Sequence, residues 1–183
     1  QESEDRLDAA IKGADLGVLD LDIESGRNLV NTRWYSMLGY EPFDFEANFQ
    51  SFLSLLHPDD KILILDATDK LNNGESEFDI IIRLRHKDGS FRTIRDQGRV
   101  VERQENGEIK RLIGTNLDIT NETKLRDELT QSLHDKTILL QEIHHRVKNN
   151  LAVIIGLLHL QSFNSKNDEL GVFYDEMSNR IKV

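Results

Sequence analysis

Side chains that could do covalent chemistry lie close together in the stretch EIHHRVKNNL, residues 142–151. It holds two adjacent histidines, His144 and His145, among acidic, basic and amide side chains: Glu142, Arg146, Lys148 and Asn149. An imidazole with one unprotonated nitrogen is a nucleophile, and a nearby carboxylate can accept the proton from the other nitrogen. The candidate chemistry is therefore nucleophilic attack by one of these histidines.

Helical phase separates the two histidines. Apolar residues recur at steps of 3, 4, 4, 3 and 4, at Leu140, Ile143, Val147, Leu151, Ile154 and Leu158. This spacing predicts a helix with one apolar stripe, called the seam below. At about 100° per residue, His145 points away from the seam, whereas His144 lies on its shoulder and is expected to be partly packed. Glu142 and Asn149 share the outer stripe with His145. On spacing alone, an ordinary solvated histidine remains the simpler interpretation.

The helix that carries this stretch is expected to begin near Thr120, which can cap it, and to end near Ser162. Leu125, Leu129 and Leu133 extend the seam, but Lys136 and Thr137 interrupt it before Leu140, and we expect this weak stretch to let the helix twist or shift register. A polar loop follows, and apolar residues at helical spacing then predict a second helix: Leu170, Phe173, Met177 and Ile181. The two helices should form an antiparallel hairpin.

Residues 1–120 read as a separate domain of strands, turns and short helices. A leading helix precedes two strands, GVLDLDIESG and RNLVN, and two helical pieces are expected on either side of His57-Pro58. Three turn signals follow: Asn73-Gly74, Asp88-Gly89 and Asn106-Gly107. We expect two-residue hairpin turns there, joining three further strands. The predicted fold is an α+β domain with a five-stranded antiparallel sheet and helices to one side.

Composition excludes several functions. The 183 residues carry 33 acidic and 23 basic side chains, a net charge of −10, which argues against nucleic acid as a partner. The absence of cysteine excludes disulfides, thiolate metal sites and thiol nucleophiles. No apolar run approaches the roughly 20 residues of a membrane span. A cytoplasmic location is expected, and the sequence leaves open whether a longer protein containing this chain is membrane-bound.

Four phrases in order resemble a PAS domain over about residues 5–120: NTRWYSMLGYEP, HPDD, RHKDGSFR and GTNLDIT. PAS domains are sensory and dimerising modules that commonly hold a small ligand against the sheet. The resemblance implies that Asp118, Ile119 and Thr120 form the signal junction that anchors the outgoing helix to the sheet. An ordinary strand end with a helix cap is the simpler interpretation, and both can hold together.

The sequence does not name a ligand for the PAS domain. Without cysteine, the flavin-adduct chemistry of some PAS domains is excluded. His57 and His86 are the candidate axial ligands of a haem, but their positions at a helix break and beside a hairpin turn argue against that role. Trp34 and Tyr35 could line a pocket, although a place in the core or in a dimer contact is the first expectation for them. A PAS domain that works without a ligand, as a dimerisation and relay element, is the alternative.

The segment LLQEIHHRVKNNLAVIIGLLHLQS resembles the phosphoacceptor helix of bacterial two-component sensor histidine kinases, in the branch related to the HWE kinases. The shared motif is HRVKN, and the resemblance implies that His145, directly before Arg146, receives the phosphate. The common pattern has an acid where Arg146 stands, so we take Glu142 as the proton acceptor by hypothesis. Arg146, Lys148 and Asn149 match the motif and would orient the transferred phosphoryl group; a solvated helix face is an equal interpretation for Lys148.

The sequence therefore predicts a PAS sensor in residues 1–120 and a signalling helix with a dimerisation and phosphotransfer hairpin in residues 121–183. After Thr120 the only glycines are Gly156 and Gly171, so we expect ATP to be bound by a separate ATPase domain that is missing from this chain. The resemblance implies a response regulator receiver domain as partner. It also favours a homodimer through a four-helix bundle, although a monomer is the other possibility.

Two rival interpretations remain. One is a PAS and coiled-coil interaction module that carries no phosphate. The other is a metal site at Glu142, His144 and His145, which is weaker because adjacent histidines on a helix point about 100° apart.

Overall fold

The computed structural model of the protein describes residues 2–165. Its elements in chain order are α1 (Glu2–Gly13), β1 (Gly17–Asp22), β2 (Asn28–Val30), α2 (Thr32–Ser36), α3 (Phe49–Leu55), a 3-10 turn (Pro58–Asp60), α4 (Lys61–Asn72), β3 (Glu77–Arg85), β4 (Phe91–Arg103), β5 (Ile109–Asp118) and α5 (Thr120–Ser165). The chain divides into two compact units, between Leu125 and Arg126. The predicted second helix, and with it the hairpin, lies outside the described residues.

The five strands form one antiparallel sheet, as the sequence predicts, and the structure gives their order as β2-β1-β5-β4-β3. Strand β5 lies in the middle and pairs with β1 on one edge and with β4 on the other. Gly17 lies opposite Asn116, which in turn lies opposite Asp96. The N-terminal strands are thereby joined to the end of the domain, next to the start of α5.

The hairpin turns differ from the expected two-residue type. His86 donates its backbone N–H to the carbonyl of Ser90 (2.8 Å), and Gln104 donates to Glu108 (2.8 Å), which leaves three residues in each loop. Gly89 and Gly107 both have φ of +88°, whereas the aspartate and asparagine before them do not have positive φ. Each loop is therefore a turn followed by a left-handed glycine. The Asn73-Gly74 pair ends α4 and forms no hairpin.

The break at His57-Pro58 is held by an ion pair. The carboxylate of Asp60 is buried and accepts hydrogen bonds from the Arg83 backbone N–H (2.7 Å) and from two nitrogens of its guanidinium (2.6 and 3.0 Å). The Arg83 guanidinium lowers the pKa of Asp60 below its ordinary value. This contact ties the start of α4 to β3, so the two helical pieces predicted around Pro58 are fixed against the sheet.

The hydrophobic core lies between one face of the sheet and helices α2 to α4. Its largest fully buried apolar side chains are Trp34, Leu38, Ile82, Leu84 and Ile94. Trp34 meets Tyr35 edge to face with ring centroids 5.3 Å apart, a favourable aromatic geometry. Trp34 is the one tryptophan of the chain, so its fluorescence reports on this core.

One carboxyl group lies inside the sheet's buried face. Asp96 on β4 is 4% exposed, and its Oδ1 accepts a hydrogen bond from Nδ2 of Asn116 on β5 at 2.8 Å. Burial raises the pKa of Asp96 to about 7, although the hydrogen bond from Asn116 opposes this rise. The folded domain therefore binds a proton at Asp96 that the unfolded chain releases at much lower pH.

This proton makes the stability of the domain depend on pH. Because the pKa of Asp96 is about 7 when folded and near 3.8 when unfolded, the domain loses stability as pH rises from about 4 to 7, and the loss levels off above pH 7. Asp96→Asn cannot ionise, so we expect its free energy of unfolding at pH 8 to exceed that of the unmutated chain by about 2–4 kcal/mol. At pH 5 the difference should fall to less than about half of its value at pH 8. Denaturant titrations followed by Trp34 fluorescence measure both values.

The matched control is Asp79→Asn on β3. The side chain of Asp79 pairs with Arg95, which lowers the pKa of this carboxyl, so its amide variant should gain no stability at pH 8. A gain for Asp96→Asn that is the same at pH 5 and pH 8 would contradict the assignment of the buried proton.

Candidate functional site

The nucleophile candidates lie on α5 in fully accessible positions. Every residue from Gln141 to Asn150 is exposed, including His144 and His145. Because all ten residues are exposed alike, their exposure does not distinguish the predicted directions of His144 and His145. The expected partial packing of His144 stays a prediction. Packing there was expected against a partner helix, and the segment predicted to form that helix is not among the described residues.

The seam of α5 is also largely exposed in the described residues. Ile143, Val147 and Leu151 are 54%, 47% and 38% exposed. Leu125, Leu129 and Leu133 in the N-terminal half of the helix are exposed as well. The predicted apolar stripe is therefore present on the surface of α5. Lys136 and Thr137 interrupt the stripe but not the helix itself.

Glu142 makes a different contact from the one expected. Its Oε1 accepts a hydrogen bond from Nε of Arg146, one turn later, at 2.7 Å. Within residues 2–165 no hydrogen bond joins Glu142 to His145. Both partners of the ion pair are exposed, and such helix pairs stabilise by only about 0.3–0.5 kcal/mol. The pair is weak enough to open, so Glu142 stays a candidate proton acceptor by prediction. Lys148 and Asn149 are exposed on the same segment.

The residues that the sequence predicts as the signal junction make a compact hydrogen-bond network. The hydroxyl of Thr120 donates to Oδ1 of Asp118 and accepts from the backbone N–H of Thr93 on β4 at 2.8 Å. The Thr120 backbone N–H donates to the same Asp118 oxygen at 2.9 Å. Thr120 is 4% exposed, so its hydroxyl replaces water as the partner of both groups.

Ile119 completes this network through its backbone. Its N–H donates to the carbonyl of Thr93 at 2.9 Å, and its own carbonyl accepts from the N–H of Thr123 in the first turn of α5, also at 2.9 Å. The first turn of α5 is thereby hydrogen-bonded to strand β4. The sequence analysis identified Asp118, Ile119 and Thr120 as a group. It did not identify Thr93 as their partner, because no sequence motif includes Thr93.

A cavity of about 350 Å³ lies between the sheet and the helices. Its lining is mostly apolar and includes Leu21, Trp34, Phe52, Ile64, Leu71, Ile80 and Leu112. Asn28 and Asp96 also line it. Sequence reasoning missed this cavity and its carboxyl. The available signal was the position of Asp96, two residues after the core residue Ile94 and hence on the same face of β4.

The cavity does not fit a haem with an axial histidine. Its lining contains no histidine, methionine, cysteine or tyrosine. His57 packs its ring against Phe91, with centroids 4.6 Å apart, and His86 places Nδ1 3.0 Å from the Asp88 carboxylate. Both candidate ligands therefore lie away from the cavity. Residues 2–165 also hold no group of three acidic or histidine side chains arranged for a metal ion.

None of the helices in residues 2–165 is long and apolar enough to cross a membrane.

Comparison with known proteins assigns both parts of the chain. Residues 27–116 match the family model for the PAS fold, and the five-stranded sheet with its helices agrees with that match. A solved sensory box histidine kinase/response regulator from Burkholderia thailandensis is similar, with a TM-score of 0.62 at 25% identity, over 72% of this chain and 98% of that one. The first part of the chain is a PAS domain.

The second part matches a different family. Residues 142–183 match the model for histidine kinases. The sensor protein FixL of Bradyrhizobium diazoefficiens is 27% identical over 87% of this chain, and a blue-light-activated histidine kinase of Brucella anthropi is 21% identical over 84%. The chain spans 30% and 29% of the lengths of these relatives. This chain thus combines a PAS domain with a segment that matches histidine kinases.

The junction network gives a stability prediction. Thr120→Val keeps the shape of the side chain but leaves the Thr93 N–H without an acceptor, so the free energy of unfolding should fall by about 1–3 kcal/mol. Thr120→Ser, which keeps the hydroxyl, should lose less. Denaturant unfolding of the three chains measures the order, and a larger loss for Thr120→Ser than for Thr120→Val would show that the methyl group matters rather than the hydrogen bonds.

Proposed function

We propose that this chain is the sensory and phosphoacceptor part of a two-component sensor histidine kinase, with His145 as the residue that is phosphorylated. The observation that carries the proposal is the exposed position of His145, directly before Arg146, within a segment that matches the histidine kinase family. The similarity to FixL and to a blue-light-activated histidine kinase over most of this chain supports the same assignment.

The proposed reaction has two steps. An unprotonated imidazole nitrogen of His145 attacks the γ-phosphorus of ATP, the bond from phosphorus to the β–γ bridging oxygen breaks, and ADP leaves. The proton on the other imidazole nitrogen passes to an acceptor. A carboxylate oxygen of a response regulator aspartate then attacks the same phosphorus, and the phosphorus–nitrogen bond breaks as the imidazole regains a proton on its other nitrogen. ATP is supplied by a catalytic domain outside this chain, so the proposed place of action is the cytoplasm.

The neighbours of His145 have distinct proposed roles. Glu142, three residues earlier on the helix, lies within side-chain reach of His145 and accepts its proton once the ion pair with Arg146 opens. That opening frees the Arg146 guanidinium to stabilise the charge on the transferred phosphoryl group. Lys148 and Asn149 are exposed on the same segment and are proposed to orient that group or the incoming aspartate.

The PAS domain is proposed to control this reaction through the start of α5. Thr120 and Ile119 bond the first turn of α5 to β4, so a change in the sheet alters the support of that turn. The interruption of the seam at Lys136 and Thr137 offers two helix registers of similar energy, and a signal would select between them.

A second copy of this chain is the proposed partner along the seam. The exposed leucine, isoleucine and valine side chains of α5 form one stripe at heptad spacing, the pattern by which helices pair in bundles. Homodimerisation through a four-helix bundle follows from that pattern, and a receiver domain would then meet the exposed face that carries His145.

The proposal predicts which histidine takes the phosphate. Incubating the chain with the ATP-binding domain of a related histidine kinase and γ-labelled ATP should label the unmutated chain and His144→Gln. Label on His145→Gln should fall to background, because its amide nitrogen is not a nucleophile. Retained label should be lost in acid and survive alkali, as expected for a phosphorus–nitrogen bond.

The same experiment includes its own controls. Labelling of the related kinase's own phosphoacceptor helix shows that the added domain is active, and circular dichroism shows that each variant is folded. If that domain is active but no form of this chain is labelled, the chain is an interaction module without phosphotransfer. If His144→Gln alone loses label, the assignment to His145 is wrong.

The role of Glu142 is tested separately. Glu142→Gln should slow labelling by about tenfold or more, an effect below the usual range for a general base because the site is exposed. The rate of the variant should rise with pH. Glu142→Asp retains a carboxylate and should recover part of the rate. Glu128→Gln is a matched change elsewhere on α5 and should leave the rate unchanged. Normal labelling of Glu142→Gln would exclude Glu142 as the proton acceptor.

A further inference from the structure

The cavity of the PAS domain contains one ionisable group. Asp96 lines it, and the hydrogen bond from Asn116 to Oδ1 is the one that its side chain makes among residues 2–165. The second carboxylate oxygen is left for a partner inside the cavity. A buried polar group that lacks a partner is costly, at roughly 1–3 kcal/mol, so an incompletely paired carboxyl facing a cavity points to a ligand.

The charge of the lining limits the ligand's chemistry. No lysine, arginine or histidine lines the cavity, so nothing there can neutralise a carboxylate or a phosphate group. An anionic ligand would instead meet the carboxyl of Asp96. The remaining lining is almost entirely aliphatic and aromatic, which suits a hydrocarbon body.

We propose that this cavity binds a compact apolar amine, whose ammonium group donates a hydrogen bond to the free oxygen of Asp96. The hydrocarbon part of the ligand packs between the sheet and the helices, against Trp34 and Phe52. An ammonium–carboxylate pair makes charge-assisted hydrogen bonds, which are roughly twice as strong as neutral ones. This inference concerns the PAS domain and holds whether or not His145 is phosphorylated.

Size and position restrict the ligand further. The volume of about 350 Å³ is at the lower end of the range for ligand pockets, so one ring with a short chain is the expected body. Asn28 also lines the cavity, and its Oδ1 is buried without a hydrogen-bond partner. It lies on β2, however, separated from β4 by two strands, or roughly 14 Å. A compact amine held at Asp96 does not need to reach it.

Recognition of an amine should depend on pH. Burial raises the pKa of Asp96 to about 7, and the negative charge of Asp79 on β3 adds to that rise. On β5 the facing group is the neutral Asn116, and the residues that α2, α3 and α4 contribute to the lining are not ionisable: Trp34, Phe49, Phe52, Ile64, Ala67, Thr68 and Leu71. Since the ion pair needs ionised Asp96, amine affinity rises with pH up to about 7 and then levels off.

Three probes of equal shape test the proposal on the whole 183-residue chain: 4-phenylbutylamine, 4-phenylbutanol and 4-phenylbutyrate. Trp34 lines the cavity and is the chain's one tryptophan, so its fluorescence reports binding, and calorimetry confirms the affinity. At pH 7.5 the amine should bind at least tenfold more tightly than the alcohol, and the carboxylate should bind more weakly than both. Asp96→Asn should remove the preference for the amine and leave the alcohol's affinity within about threefold.

Two controls separate ion pairing at Asp96 from the loss of any carboxyl in the sheet and from an effect of pH on all ligands. Asp79→Asn removes a carboxyl from the same sheet outside the cavity and should keep the amine preference. In the unmutated chain, amine affinity should fall by about tenfold between pH 7.5 and pH 5.5, while the alcohol's affinity stays constant; this measurement does not depend on the folding of any variant. Equal binding of amine and alcohol, a preference for the carboxylate, or no binding of any probe would each overturn the proposal.

Discussion

The pairing of β5 with β1 on one edge and β4 on the other is the constraint on which the rest of the structure depends. This strand brings the two ends of the domain together, because β1 comes from the N-terminus and β5 leads into α5. It also sets Asn116 beside Asp96. The strand ends at Asp118, and the N–H of the next residue, Ile119, donates a hydrogen bond to the carbonyl of Thr93. The cavity wall, the buried carboxyl and the junction are thus consequences of one strand's register. A shift of that register by one residue would turn Asn116 away from Asp96 and Leu112 away from the cavity.

The PAS domain and α5 use polar groups in opposite ways. Inside the domain, the carboxyl groups of Asp60 and Asp96 are buried, and their pKa values move in opposite directions. The guanidinium of Arg83 lowers the pKa of Asp60, whereas Asp96 has no cationic partner and burial raises its pKa. On α5 the charged groups around His145 are exposed, and their pairing is weak. If α5 admits ATP and then a receiver domain, as proposed, side chains that exchange partners at little free-energy cost would favour both encounters. Side-chain burial thus distinguishes the fixed interior of the PAS domain from the exposed segment around His145.

Local features of the sequence were enough for much of this description. Glycine at 89 and 107 marked the hairpins, Pro58 marked the helix break, and the 3 and 4 spacing around Ile143 and Val147 marked the helix α5. Turn length was not readable, since an Asp-Gly pair suits two-residue and three-residue loops alike. Glu142 and Arg146 have ordinary helix spacing, but His145 was also within reach of the Glu142 carboxylate. The sequence alone therefore did not show which of the two the carboxylate contacts. Asp96 was overlooked because a charged residue in a strand is normally assigned to the outer face, and the cavity depends on packing between distant segments.

The cavity exists only where the sheet and the helices are folded against each other. A compound that enters it therefore binds the folded chain and not the unfolded one, and by mass action it increases the folded fraction with every rise in its concentration. Since proteases in the cell degrade mainly opened or unfolded chains, occupancy of the cavity would lengthen the protein's lifetime. The amount of sensor present, and not only its activity, would then follow the supply of the molecule that it binds.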